Sequence, residues 1–236
     1  NIPVHAFNLI SPTFFANSST GNKYSLWVNV YGVSERYLNV YGEKDLRAQM
    51  NQFFHRTYTH PVDGTTLDMK MLCNWYWYDE TAILETGKGT KDWNFYRYAE
   101  TLLSAAEAIA QSSGVNAEAA GYLAQVKARA NMEGKDVSTI ASELQRLGKQ
   151  AFIEECWKER LREFPLEMKI WDDCVRTGKF PQISATNKGE VQFVDLIGAK
   201  NGSGATFKAT DLYWPIPVNE IQRNPNLTQN EGYSAK

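Results

Sequence analysis

Cysteine and histidine are scarce in this 236-residue chain, at three residues each, and net charge is almost absent, at −2. Cys73, Cys156 and Cys174 are too few for the disulfide framework of a small secreted domain and lack zinc-site spacing. They read as buried free thiols, or as one bridge with a thiol left over. His5, His55 and His60 form no ligand set, because no third donor stands near the last two. Lys+Arg 25 against Asp+Glu 27 leaves no basic footprint, so no nucleic-acid partner is expected. No run approaches the ~20 apolar residues of a membrane helix, since Glu107 cuts the best candidate, Leu102–Ala110. The first segment, NIPVHAFNLISPTFFANSS, has no Lys or Arg before Lys23 and is not a secretory leader. P-loop, G-x-G-x-x-G and G-x-S-x-G motifs are missing, which leaves no phosphate cradle and no nucleophile elbow.

What is abundant is aromatic: 7 Trp, 12 Tyr and 11 Phe, 13% of the chain. A chain of this length buries roughly 70% of its unfolded surface and needs no staples. Residues 1–92 read as loop-rich and aromatic, with Pro and Gly punctuating short apolar runs and with short strands at Leu26–Tyr31 and Leu72–Tyr78. From Trp93 the pattern turns helical. Phe95, Tyr98, Ala99, Leu102, Ala106 and Ile109 make one apolar stripe, and Gly114 stops it. Asn116 caps a second helix carrying Ala119, Leu123, Val126 and Ala130, which Gly134 ends. A third helix runs from about Ser138 through Gly148 to the break at Pro165, with Trp157, Leu161 and Phe164 inward. A fourth, Leu166–Arg176, ends at Gly178. Paired antiparallel helices that repeat are the physics of a helical array. The expected fold is therefore mainly α: αα-hairpins of tetratricopeptide-like architecture, with extensive loops and a few short strands. Parts of the chain are expected at 1–92, 93–180 and 181–236, the last a proline-studded tail packed down by its apolar residues.

The segment Glu159–Lys179, ERLREFPLEMKIWDDCVRTGK, resembles the ER-x-x-E…E-G-x-R…D-L-x-R-x-G-K signature of the SusD/RagB family, the outer-membrane nutrient-binding lipoproteins of Bacteroidetes. Three further segments agree in order: Asp45-Leu46-Arg47 with its D-x-R, Arg97–Ala108 (RYAETLLSAAEA) with its R-Y-A-E helix, and Pro215–Tyr233 with its closing P-I-P…Q-N-x-G-Y. Met168 stands where the family has Gly, Ile170 where it has Arg, and Glu231 where it has Pro.

The resemblance implies a SusD-like α/α superhelix and a binding protein rather than an enzyme; no cofactor is expected, and no D-x-D-x-D-G calcium loop is present. Its partners would be an oligosaccharide or polysaccharide and a SusC-like TonB-dependent outer-membrane transporter. Family members are longer, so the chain reads as the C-terminal portion of such a protein. Surface attachment to the outer membrane would come through an N-terminal lipid anchor not present in these residues. The resemblance further implies Tyr24, Trp27 and Tyr31, in the loop-rich first third, as sugar-stacking candidates.

The residues themselves add Trp75 and Trp77. On a strand, alternate members of the run Trp75–Tyr78 point to opposite faces, so one pair must find cover from a loop, partner or ligand. Glu155, Glu159 and Glu163 share one helix face and read as a solvated face or a structural salt bridge. Arg160, on the apolar stripe, must be paired, with Glu100, Glu107 or Asp173 as its expected carboxylate. Trp157, Trp171 and Trp214 are expected in the core. Two other readings compete: a helical-repeat scaffold for a protein or peptide ligand, and an α-helical glycosidase.

Overall fold

A computed structural model describes residues 33–76, 78–81, 92 and 94–234. The expected strand at Leu26–Tyr31 lies outside them. The chain divides into two compact units, one holding the residues up to Met168 together with Ile183–Val191, the other Lys169–Gln182 and Gln192 onward.

In the first unit, β1 (Phe54–Thr59) and β2 (Thr66–Asn74) form an antiparallel hairpin. Its turn closes where the His60 amide donates to Thr65 O and the Gly64 amide to His60 O, at 2.8 and 3.0 Å. Register slips between His55 and Thr57, whose partners are Cys73 and Asp68, so β2 bulges there. The strand expected over Leu72–Tyr78 thus stops at Asn74 and extends in the other direction. The Asn74 side chain accepts from the Tyr76 amide at 2.7 Å and turns the chain out of the sheet.

Helices α1 (Tyr98–Ser113) and α2 (Ala117–Ala130) form an αα-hairpin; α3 (Val137–Leu144) packs on α2, and α4 (Lys149–Glu163) packs chiefly on α1. Gly114, at φ +80°, ends α1, and Asn116 caps α2 by accepting from the Ala119 amide at 2.9 Å. Ala106, Ala110, Ala119, Ala120 and Ala124 are fully buried, so small side chains let the helices approach closely around Leu103, Leu123 and Phe152. The single third helix expected from Ser138 is in fact two. Gly148 is extended (φ −65°, ψ 156°) and caps α4 instead of sitting inside a helix. Phe164, restricted by Pro165, leaves helical geometry and ends α4. Phe95 and Tyr98 are exposed rather than inward, because the buried stripe of α1 starts at Leu102 and Leu103.

The second unit holds α5 (Ile170–Thr177), stopped by Gly178 in the left-handed region. Beyond it, where loops were expected, Lys179–Ile183 (β3) pairs with Val191–Asp195 (β4). Phe207 lies between Trp171 and Phe180, at 5.6 and 5.2 Å between ring centres. The tail, which includes α6 (Val218–Arg223), is closed by its own polar residues. Gln229 exchanges two hydrogen bonds with the Ile216 backbone, Asn230 donates to Trp214 O, and the Tyr233 hydroxyl reaches Thr210 O and Tyr213 O. Trp171 is partly exposed and Trp214 is 88% exposed, so neither is the core residue expected. Hydrogen bonds from polar side chains to backbone fix this tail where burial of apolar side chains was anticipated.

Candidate functional site

Two arrangements in the first unit concentrate polar chemistry. The first is an aromatic cleft at the end of the β1–β2 hairpin. The Trp75 amide donates to Phe53 O at 2.8 Å, and the Tyr78 amide folds back onto Trp75 O at 3.1 Å. These two bonds bring the rings together: Trp75 stacks on His55 at 3.8 Å and 11°, and on Tyr78 at 5.1 Å and 15°. Such contacts contribute ~0.5–1.5 kcal/mol each beyond the area they bury. Tyr58 tilts against the same indole at 6.1 Å. The cleft has a volume of about 330 Å³, with Asn51, Thr57 and Glu80 among its polar lining. Glu80 Oε2 accepts from the Tyr78 hydroxyl at 2.9 Å. Burial lowers the His55 imidazole below its ordinary value, against a backbone contact with Gln52 that raises it. The ring therefore stays neutral at neutral pH, suited to stacking.

Of the aromatic residues singled out from sequence, Trp75 sits in this cleft, whereas Tyr24, Trp27, Tyr31 and Trp77 lie outside the described residues. Trp75 is not a bare platform: the surface it offers is shared with His55 and Tyr78. His55 was not among the candidates, and Tyr78 entered only as a member of the alternative pair Tyr76/Tyr78 in the run Trp75–Tyr78. Only the strand register, which pairs His55 with Cys73 two residues before the tryptophan, brings His55 to it.

The second arrangement is an ionic network, and it is built from three of the motif segments. Asp45 binds Arg47 twice through side-chain oxygens, at 2.9 and 2.7 Å, and caps the turn Leu46–Ala48. Arg47 Nη1 then reaches Glu163 Oε2 and lies against Glu159 Oε1, both at 2.8 Å. The Glu159 approach is a short, buried charge contact. Arg97 donates Nε and Nη2 to the two oxygens of Glu167 and Nη1 to Glu163 Oε1, at 2.8, 2.8 and 2.9 Å. Arg162 joins Glu155 and Glu159 at 2.9 and 3.2 Å, and its Nε donates to Val40 O. Lys127 pairs with Glu155.

The Glu155–Glu163 face is therefore not solvated: Glu159 and Glu163 are almost fully buried. Burial pushes the Glu159 carboxyl up, yet Arg47, Lys127 and Arg162 outweigh it and hold the group at about 2. Arg160 Nη2 lies 3.5 Å from Glu100 Oε1, and its guanidinium sits 5.3 Å from the Phe164 ring centre. Glu107 is buried in α1, and Asp173, in the second unit, pairs with Arg176 at 3.2 Å.

The network has the chemistry of a brace. A general acid needs a raised pKa, and Glu159 has the reverse. All three cysteines are buried and unbridged, with Cys73 pushed up by burial to about 12 and Cys174 to about 11, so neither is a thiolate.

Comparison with known proteins agrees with the motif reading. The sequence matches the model of the SusD family over residues 18–233. It is 36% identical over 138 residues to the starch-binding protein SusD of Bacteroides thetaiotaomicron, covering 58% of this chain and 21% of that protein. The crystal structure of a SusD superfamily protein from Parabacteroides distasonis superposes with a TM-score of 0.75 at 29% identity, covering 97% of this chain and 47% of that one. The chain spans about half the length of the solved relative, and the matched stretch about a fifth of the length of the curated one.

Proposed function

The chain belongs to the SusD family, and from that premise we propose that it is part of a cell-surface glycan-binding protein that captures oligosaccharides without hydrolysing them. Its partner is a SusC-type TonB-dependent channel in the outer membrane, to which the captured glycan is delivered, and its place is the outer face of that membrane. Ligand recognition is assigned to residues 1–92.

The observation that carries this reading is the His55–Trp75–Tyr78 stack beside Asn51 and Glu80 in one open cleft. Flat aromatic surface suits the C–H faces of a sugar ring, while the amide and carboxylate at its edge suit hydroxyl groups. The starch-binding activity in the name of the Bacteroides relative supports the same ligand class. A catalytic reading finds no support, because the buried carboxylates closest to a pair, Glu159 and Glu163, are consumed by arginines instead of facing each other across a cleft.

Calorimetric titration with a panel of neutral oligosaccharides, beginning with maltooligosaccharides, tests the proposal. Binding of at least one glycan is expected, with a loss of tenfold or more in Trp75→Ala. If no neutral glycan binds, or if the variant binds like the parent, the cleft is not the site.

A further inference from the structure

A second cavity, of about 570 Å³, opens on the α1–α2 side of the first unit. Three rings, Phe53, Tyr76 and Tyr98, line it, and Leu102 and Val126 are among its apolar surfaces. Two guanidinium groups, those of Arg97 and Arg129, lie at it with a single carboxylate, Glu163.

The two arginines differ in how far they are used. Arg97 spends Nε, Nη1 and Nη2 on Glu163 and Glu167. Arg129 makes one contact, from Nη2 to Glu163 Oε2 at 2.5 Å, and its side chain is 55% exposed. A guanidinium carries five N–H donors, so most of those on Arg129 face solvent at the cavity. Glu163 is already shared among three arginines. Its Oε1 takes Arg97, and its Oε2 takes both Arg47 and Arg129. Glu167 balances Arg97, so Arg129 is the guanidinium at the cavity with donors to spare, beside the ring of Tyr98, which is 70% exposed.

We infer that this cavity accepts an acidic sugar residue, its carboxylate on Arg129 and its ring against Tyr98. A carboxylate matches the planar fork of arginine with two parallel bonds, and a pyranose matches a flat exposed ring. The Gln125 amide, also on the lining, can donate to or accept from a ring hydroxyl. This inference rests on the glycan-binding reading and deepens it, adding a uronic-acid class of ligand at a site other than the Trp75 cleft.

The test titrates the full chain with trigalacturonic acid and with the carboxyl-reduced trisaccharide of the same linkage. At low salt the acid is expected to bind at least tenfold more tightly, with the preference shrinking as salt rises. Arg129→Gln should abolish the preference, Arg129→Lys should keep part of it, and Tyr98→Ala, at an exposed position, should weaken binding of the acid severalfold. Equal affinity for the two trisaccharides overturns the inference, as does a preference that survives in both Arg129→Gln and Tyr98→Ala. Neutral-glycan binding lost in Trp75→Ala, with no preference for the acid, removes this site and leaves the proposed function standing. Acid binding through Arg129 with no neutral glycan bound would retain this site and remove the Trp75 cleft.

Discussion

Arg47 Nη1 donates to Glu163 Oε2 at 2.8 Å across 116 residues of sequence, and both side chains are almost wholly buried. The bond ties the turn Leu46–Ala48 to the last turn of α4, and the same carboxylate holds Arg97 at the start of α1. Three segments separated in sequence thus meet on one carboxylate. Their motif residues are explained by the requirement that a buried charge be paired. Arg47→Met leaves Asp45, Glu159 and Glu163 short of a cation, and it should cost ~3–5 kcal/mol, the usual penalty for breaking a buried pair. Urea unfolding of the variant measures the loss, and a cost below ~1 kcal/mol would show that the network is not a brace.

Acid should undo the same network over a defined range. The Glu159 carboxyl stands at about 2 in the folded chain against an ordinary 4.5, because the three cations outweigh its burial. Glu155 is lowered as well, Lys127 and Arg162 overcoming its burial. A depressed folded value means that the unfolded chain takes up the proton first. The network's contribution is therefore complete above pH ~4.5 and is lost as pH falls toward 2. Thermal unfolding followed from pH 7 to 2 should show the midpoint falling within that window. Glu159→Gln should lie lower at pH 7 and change less with acid, and a parallel curve would refute the assignment.

The helical half was legible because its signals are local. Gly114, Asn116, Pro165 and Gly178 each act on the turn that contains them, and the alanine stripes repeat at helical spacing. The aromatic cleft was only half legible. Trp75 stands out in sequence, but its partner His55 arrives through a strand register that no local pattern encodes. The carboxylates of α4 were half legible for the same reason. Spaced four apart they read as a solvated face or a structural salt bridge, and what decides for the salt bridge is Arg47, from far along the chain, beside Tyr37 and Tyr41 on the α4 backbone. Trp214 failed in the opposite sense: its backbone is tied down by Asn230 while its ring stays in solvent.

The thiols give an independent reading of each unit. Cys73 and Cys156 lie in the first unit and Cys174 in the second, all buried, and burial pushes each thiol well above its ordinary value. Only a thiolate reacts quickly, so maleimide labelling at pH 7 should be slow in the folded chain and complete in denaturant. Mass-resolved labelling along a urea titration should show Cys73 and Cys156 becoming reactive together. Rapid labelling of Cys156 without denaturant would contradict the packing of α4.

Gly232 is a position where a side chain has no room. Its φ is +84°, and a Cβ there would fall 2.0 Å from Thr210 Cγ2. Gly232→Ala must push against Thr210, whose carbonyl the neighbouring Tyr233 hydroxyl holds together with that of Tyr213. The tail should loosen locally, seen as severalfold faster tryptic cleavage at Arg223. An unchanged cleavage rate would mean that the Tyr233 bonds do not close the tail.

Met168 offers the one stabilising change that the sequence comparison by itself suggests. It occupies a position where the family motif has Gly, and its φ is +61°, in the left-handed region, with the side chain 62% exposed. A Cβ in that region costs roughly 1–2 kcal/mol, which glycine avoids. Glycine in turn gives the unfolded chain ~0.5–1 kcal/mol more entropy to lose. The difference favours Met168→Gly by about 0.5–1 kcal/mol, a rise of a few degrees in Tm for a chain of this size. Met168→Ala keeps the Cβ and should bring no such gain. If alanine stabilises as much as glycine, the benefit comes from removing an exposed apolar side chain and not from the backbone. If neither does, the turn between α4 and α5 is relaxed as it stands.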